Sequence, residues 1–223
     1  DKTFKMRSQG TGVLTKKDIE AIAEMAEEHN TFVLSDEIYS KMLYDGLTHH
    51  SPAYLDECKE RTMIVDGFSK AYSMTGWRLG YIVAPKEIIH KIDLLFADVG
   101  SCTTSFVQKG GVSALHHGQS FVDSIMTKFA ERRKAIVTGL NEVPGFSCIY
   151  PKGAFYVFPN ISKTGMKSEA LANYIIEEAK VCLLPGTAFG SQGEGFLRLS
   201  YASSLESIHE GIKRLKKAME KVI

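Results

Sequence analysis

The sequence is 223 residues long and 44% hydrophobic, enough to bury one substantial core, or one core plus a smaller lobe. Its 27 Lys and Arg balance 26 Asp and Glu to a formal charge of +1, with no block of either sign, so it carries no electrostatic footprint for nucleic acid or an anionic membrane. No apolar run approaches the roughly 18 residues of a membrane helix, the polar start at residues 1–5 is not a secretory signal, and small molecules are the expected ligands.

Cys58, Cys102, Cys148 and Cys182 lie more than thirty positions apart, with no CxxC and no Cys/His spacing that suits zinc. They read as reduced thiols of a cytoplasmic protein, and no metal is expected. The adjacent pairs His49-His50 and His116-His117 read as solvated surface.

In chain order, Thr15-Lys16-Lys17-Asp18 resembles a capping box with Asp in place of Glu, and Ile19, Ile22, Ala23 and Ala26 continue at helical spacing to residues 29–30. Residues 31–34 form a short apolar run closed by Ser35-Asp36, the pattern of a buried parallel strand with Asp36 at its carboxyl end. Residues 62–65 repeat the pattern and run into Asp66-Gly67-Phe68-Ser69-Lys70. A third run, residues 79–84, follows so closely that it can pair as a hairpin before Pro85 stops it.

Residues 121–140 read as a long helix with Ile125, Phe129 and Ile136 on its apolar face, and a lobe boundary is expected at its end. Beyond it, residues 146–149, 154–158 and 196–200 read as strands, and residues 168–180 as a helix. Ile208, Ile212, Leu215 and Met219 stripe a last helix. The expected fold is α/β: a mostly parallel sheet with helices on both faces in residues 1–140, plus a small C-terminal α+β lobe in residues 141–223. No strand pattern is visible in residues 1–8.

Chemistry concentrates in residues 69–80. A lysine in a strand-to-loop turn, with an arginine eight positions on at the start of the next strand, can aim two cations into one cleft. Arg78 suits a bound phosphate, and Lys70 can lose its proton and form a Schiff base. Ligands in such sheets collect outside the carboxyl ends of the strands, where Asp36 and Lys70 fall. Taken singly, each residue has an ordinary structural reading: Asp36 as a helix N-cap, Tyr39 as a core aromatic, Lys70, Arg78 and Arg198 as surface charges.

Taken together, Ser-Asp-Glu-Ile-Tyr at 35–39, Gly-Phe-Ser-Lys at 67–70, Thr-Gly-Trp-Arg-Leu-Gly-Tyr at 75–81 and Arg-Leu-Ser-Tyr-Ala at 198–202 resemble the ordered signature of class I aminotransferases, the fold-type I enzymes dependent on pyridoxal 5'-phosphate. The resemblance runs from about Thr11 to the end of the chain. It implies that Lys70 carries the cofactor as a Schiff base and then acts as general acid and base, and that Asp36 pairs with the pyridine nitrogen. It also implies that Tyr39 points at the ring's phenolic oxygen, that Arg78, with Ser69 as a candidate helper, holds the phosphate, and that Arg198 grips the substrate carboxylate. Gly153-Ala154-Phe155-Tyr156 matches a segment that borders the substrate side chain. The implied substrates are an L-amino acid and a 2-oxo acid, and the implied assembly is a homodimer.

The chain departs from the family in two places. Where members read Asn-Pro-Thr-Gly it has Gln9-Gly10-Thr11-Gly12, and where some members carry a phosphate-touching serine it has Gly67. On the order of 150 residues of a typical member have no counterpart before Gln9, so the chain is expected to be a C-terminal fragment, or a second subunit whose first half is a separate chain. Two rival readings are a β-lyase on the same fold and a non-catalytic fragment that keeps the scaffold.

Overall fold

The computed structural model describes the backbone of β1 (Thr3–Met6) and residues 12–223 in full; the Gln9 position lies outside the described residues. The predicted capping box is formed, with the Thr15 amide donating to Asp18 Oδ2 at 2.7 Å and the Asp18 amide donating to Thr15 Oγ1 at 3.3 Å. It starts helix α1 (Lys16–Glu28), whose Ala23 and Ala26 pack with Val33 and Cys58 against the sheet. The small side chains let the helix approach closely, and Val33 is fully buried beneath it.

Strands β2 (Phe32–Asp36) and β3 (Thr62–Gly67) run parallel, and β4 (Gly80–Val83) closes on β3 antiparallel, giving the order β1-β2-β3-β4. The short helix α2 (Asp56–Lys59) lies in the crossover between β2 and β3. β1 corrects the sequence reading: a strand parallel to β2 lies at Thr3–Met6, where four residues gave too short an alternation to register.

Helices α3 (Lys86–Val99) and α4 (Ser105–His117) had no counterpart in the sequence reading. α4 contains Gly110-Gly111, a pair that weakens a helix by intrinsic preference. Packing explains it: a Cβ at Gly110 would come within 2.6 Å of the Trp77 ring, and one at Gly111 within 2.5 Å of Leu79. Helix α5 (Gln119–Leu140) is the long helix expected from residue 121, with Phe129, Ile136, Val137 and Leu140 buried.

The chain divides inside α5 into two compact units, Val13–Ser124 with β1, and Ile125–Ile223 with Gly12. In the second unit β5 (Tyr156–Val157), β6 (Leu184–Pro185) and β7 (Leu197–Ser200) form an antiparallel sheet in the order β5-β7-β6, flanked by α6 (Ser168–Glu178) and α7 (Leu205–Met219). All four residues of the predicted α7 stripe are buried. The expected strand at 146–149 is reduced to one bridge, Ser147 with Asn160. Asn141 is the reason: its side chain donates to the Cys148 carbonyl at 2.9 Å and accepts from the Cys148 amide at 2.8 Å, so these groups need no strand partner. The strand expected over 154–158 shortens because Ala154 takes φ +57, outside the β region.

Candidate active site

Asp36 is the last residue of β2 and stands opposite Val65 of β3, and Lys70 follows three residues after β3 ends at Gly67. Both residues therefore leave the same edge of two neighbouring parallel strands, where an α/β sheet collects its ligands. Lys70 and Ser69 are half-buried in a loop tied to itself: the Phe68 amide donates to the Leu79 carbonyl at 3.2 Å, Met74 to Phe68 at 3.3 Å and Ser73 to Lys70 at 3.1 Å. The buried Phe68 ring anchors it, 5.5 Å from the centroid of Tyr72 and 6.0 Å from that of Tyr81.

At Gly67 a Cβ would stand 2.9 Å from both the Gly80 Cα and the Leu79 carbonyl oxygen. The close pairing of β3 with β4 thus leaves no room for a side chain there.

The sequence reading put Arg78 at the start of a strand. It sits instead at the end of a 3-10 turn (Thr75–Trp77), with φ 54 and ψ 46, and donates from its guanidinium to the Thr75 carbonyl at 2.9 Å. Ser73 is also left-handed, at φ 53. Each such non-glycine residue costs about 1–3 kcal/mol, and strain of this kind persists where surrounding structure holds it, commonly at ligand sites. Tyr39 is half-buried in the turn after β2, in which the Ser40 amide donates to the Glu37 carbonyl at 2.7 Å and Met42 to Tyr39 at 2.8 Å.

In the second unit Arg198 lies on β7, half-buried, with its guanidinium carbon 4.5 Å from the Tyr156 ring centroid and 3.8 Å from that of Phe189. Both rings lie within cation–π distance of the planar cation. Tyr156 belongs to the Gly153-to-Tyr156 segment singled out in the sequence. The neighbouring Ala154 carbonyl accepts from the buried Tyr201 hydroxyl at 3.0 Å, and the Phe155 ring stacks on Phe129 at 5.5 Å.

One group escaped the sequence reading. Glu37 is buried, and its carboxylate accepts from the Ser51 hydroxyl at 2.5 Å, from Ser35 at 3.0 Å, and pairs with His49 Nε2 at 2.8 Å. His49, expected on a solvated surface, is thus drawn into a polar network with only 30% of its side chain exposed. Burial alone would raise the Glu37 pKa, but the bonds from His49, Ser51 and Ser35 outweigh it and hold the carboxyl below its usual value. Glu37 lies one residue past the end of β2, and two of its partners lie 12 and 14 positions away, beyond the reach of a local sequence pattern.

Asp66 shifts the other way. Burial raises its pKa although the Gly67 amide and the Tyr81 hydroxyl donate to it at 2.6 Å and 3.1 Å, and the nearby Glu37 charge adds to the rise. Tyr81 is pushed up to about 12, by burial first and then by Asp66. Among the described residues no His, Cys, Asp and Glu cluster could hold a metal, and no helix is long and apolar enough to cross a membrane.

Residues 10–215 match the family of aminotransferases of class I and II. The chain is 43% identical over 213 residues to an aspartate aminotransferase of Pyrococcus horikoshii, covering 94% of this chain and 54% of the relative. It is 41% identical to aromatic-amino-acid aminotransferase 2 of Thermococcus litoralis, covering 93% and 54%. The chain spans about half the length of these curated relatives. The crystal structure of an aromatic aminotransferase from Pyrococcus horikoshii superposes with a TM-score of 0.93 at 39% identity, over 98% of this chain and 59% of that one. An aspartate aminotransferase from Rhizobium meliloti gives 0.93 at 32% identity, over 99% and 58%. Sequence and fold agree: the chain belongs to the class I and II aminotransferases, a family dependent on pyridoxal phosphate.

Proposed function

We propose that the protein transfers an amino group from an L-amino acid to a 2-oxo acid with pyridoxal 5'-phosphate, and that residues 1–140 form part of the cofactor-binding domain, α5 the linking helix, and residues 141–223 the small domain. The observation that carries this is the shared edge: Asp36 and the turn bearing Lys70 emerge side by side from β2 and β3. The donor set suits the group, with an amine, a carboxylate, a phenol and a guanidinium on the Asp36-to-Tyr39 and Gly67-to-Arg78 segments, and with two left-handed residues in the loop that would receive a phosphate.

When bound, the cofactor supplies an electron sink for the pair released at the substrate's α-carbon. In this reading Lys70 would hold the group through its amine and would move a proton between the substrate's α-carbon and the cofactor's C4′ as general base and acid. Asp36 keeps the ring nitrogen protonated by placing a negative charge beside it. Tyr39 would interact with the ring's phenolic oxygen, Arg78 and Ser69 would hold the phosphate, and Arg198, beside the Tyr156 and Phe189 rings, would bind the substrate carboxylate. The reading includes a cytoplasmic homodimer.

The test is spectroscopic. Protein mixed with pyridoxal phosphate should develop a visible band that borohydride abolishes, and Lys70→Ala should develop none. Failure of the wild type to give the band overturns the proposal. With band in hand, formation of a new amino acid and oxo acid, rather than ammonia and pyruvate, identifies transamination over β-elimination.

A further inference from the structure

We infer that Glu37, with His49 and Ser51, is a positioning device for Asp36, acting from the opposite face of β2; this rests on the cofactor reading above. Side chains alternate along a strand, so Ser35 and Glu37 share one face while Asp36, between them, projects from the other. Both neighbours of Asp36 are immobilised. The Ser35 hydroxyl and the Glu37 carboxylate bond to each other at 3.0 Å, and Glu37 is tied at 2.5 Å to Ser51 and at 2.8 Å to His49.

The backbone is held as well. The Glu37 amide donates to the Val65 carbonyl at 2.8 Å, carrying the β2–β3 ladder one residue past Asp36. Strand ends normally fray, and a carboxylate that must meet a ring nitrogen cannot afford that freedom. Ser51 is 3% exposed and anchored in turn by donation to it from the Ala53 amide at 3.3 Å, so the far side of the network is rigid too. A buried acid with three side-chain partners is an expensive way to stabilise a strand, since an apolar residue could fill the space without desolvating a charge. Its position next to the cofactor-pairing acid gives that cost a purpose.

Equilibrium dialysis of pyridoxal 5'-phosphate against the folded protein tests the inference. Glu37→Leu should weaken affinity about tenfold, while Glu37→Gln, whose amide oxygen still accepts from Ser51 and Ser35 and whose NH2 can donate to His49, should stay near wild type. In an Asp36→Asn background Glu37→Leu should cost nothing further, because the effect passes through Asp36. If Glu37→Leu does not fold, Ser51→Ala and His49→Phe take its place, with a weakening of about threefold each that again vanishes with Asp36→Asn. Equal weakening in both backgrounds, or unchanged affinity in a folded variant, overturns the inference while leaving the cofactor reading intact. No cofactor binding by the wild type overturns both.

Discussion

The two compact units use their apolar residues in different ways. In Ile125–Ile223 the large aliphatic side chains turn inward, with Leu140, Ile161, Leu171, Ile175, Leu197 and Met219 fully buried. In Val13–Ser124 the corresponding set is short, with Met42 and Val33 at its head. There β4 is exposed along its whole length, α3 buries no residue, and Leu94, Leu95 and Val99 stand 62%, 66% and 79% accessible. One unit completes a core with its own residues. The other carries the strand ends that bear Asp36 and the Lys70 turn, and its apolar residues in α3 and β4 are largely exposed.

That contrast can be broken by truncating side chains. Leu215→Ala, at a buried position in α7, should lower the unfolding free energy by about 2–5 kcal/mol, whereas Leu95→Ala in α3 should change it by less than about 0.5 kcal/mol in urea denaturation. Equal losses would show that α3 is covered in solution.

A second measurement sharpens the picture within the first unit. The carboxyl of Glu37 is held below its usual 4.5, so the stability it contributes is present above that pH and is lost as the pH falls through its folded-state value. Acid unfolding followed by near-UV circular dichroism should move to higher pH in His49→Phe, which removes one of the bonds favouring the ionised form. An unchanged midpoint would show that the pair contributes nothing to acid resistance.

The smallest effect is expected at Asp66. Its pKa is raised, so the sign reverses: the folded state holds its proton more tightly than the unfolded chain, and the ionised carboxyl opposes folding once the pH is above its folded-state value. Asp66→Asn, which keeps an oxygen to accept from the Gly67 amide, should raise the melting temperature slightly at neutral pH and lose that advantage in acid. A lower melting temperature at neutral pH would mean that the Tyr81 and Gly67 bonds outweigh the desolvation.

Much of the candidate site was legible in the amino-acid order. Asp36 at the end of one strand, Lys70 in the loop after the next and Arg198 on a late strand are consequences of short apolar runs closed by polar residues, and local patterns of that kind survive folding. The stripe of α7 and the capping box of α1 were legible for the same reason: partners three or four residues apart meet on one helix face whatever else the chain does.

Tertiary structure alone decided the rest. Asn141 replaced a strand by satisfying both backbone groups of Cys148, Trp77 and Leu79 fill the space where side chains at Gly110 and Gly111 would stand, and Arg78 was turned left-handed before the strand began. Glu37 became the centre of a buried network through His49 and Ser51, residues no local pattern connects to it. Residue order determines which chemistry the chain can offer and which elements carry it, because those depend on near neighbours. Which polar group is buried, and against what, depends on contacts made across the fold, and these exist only once the chain has closed on itself.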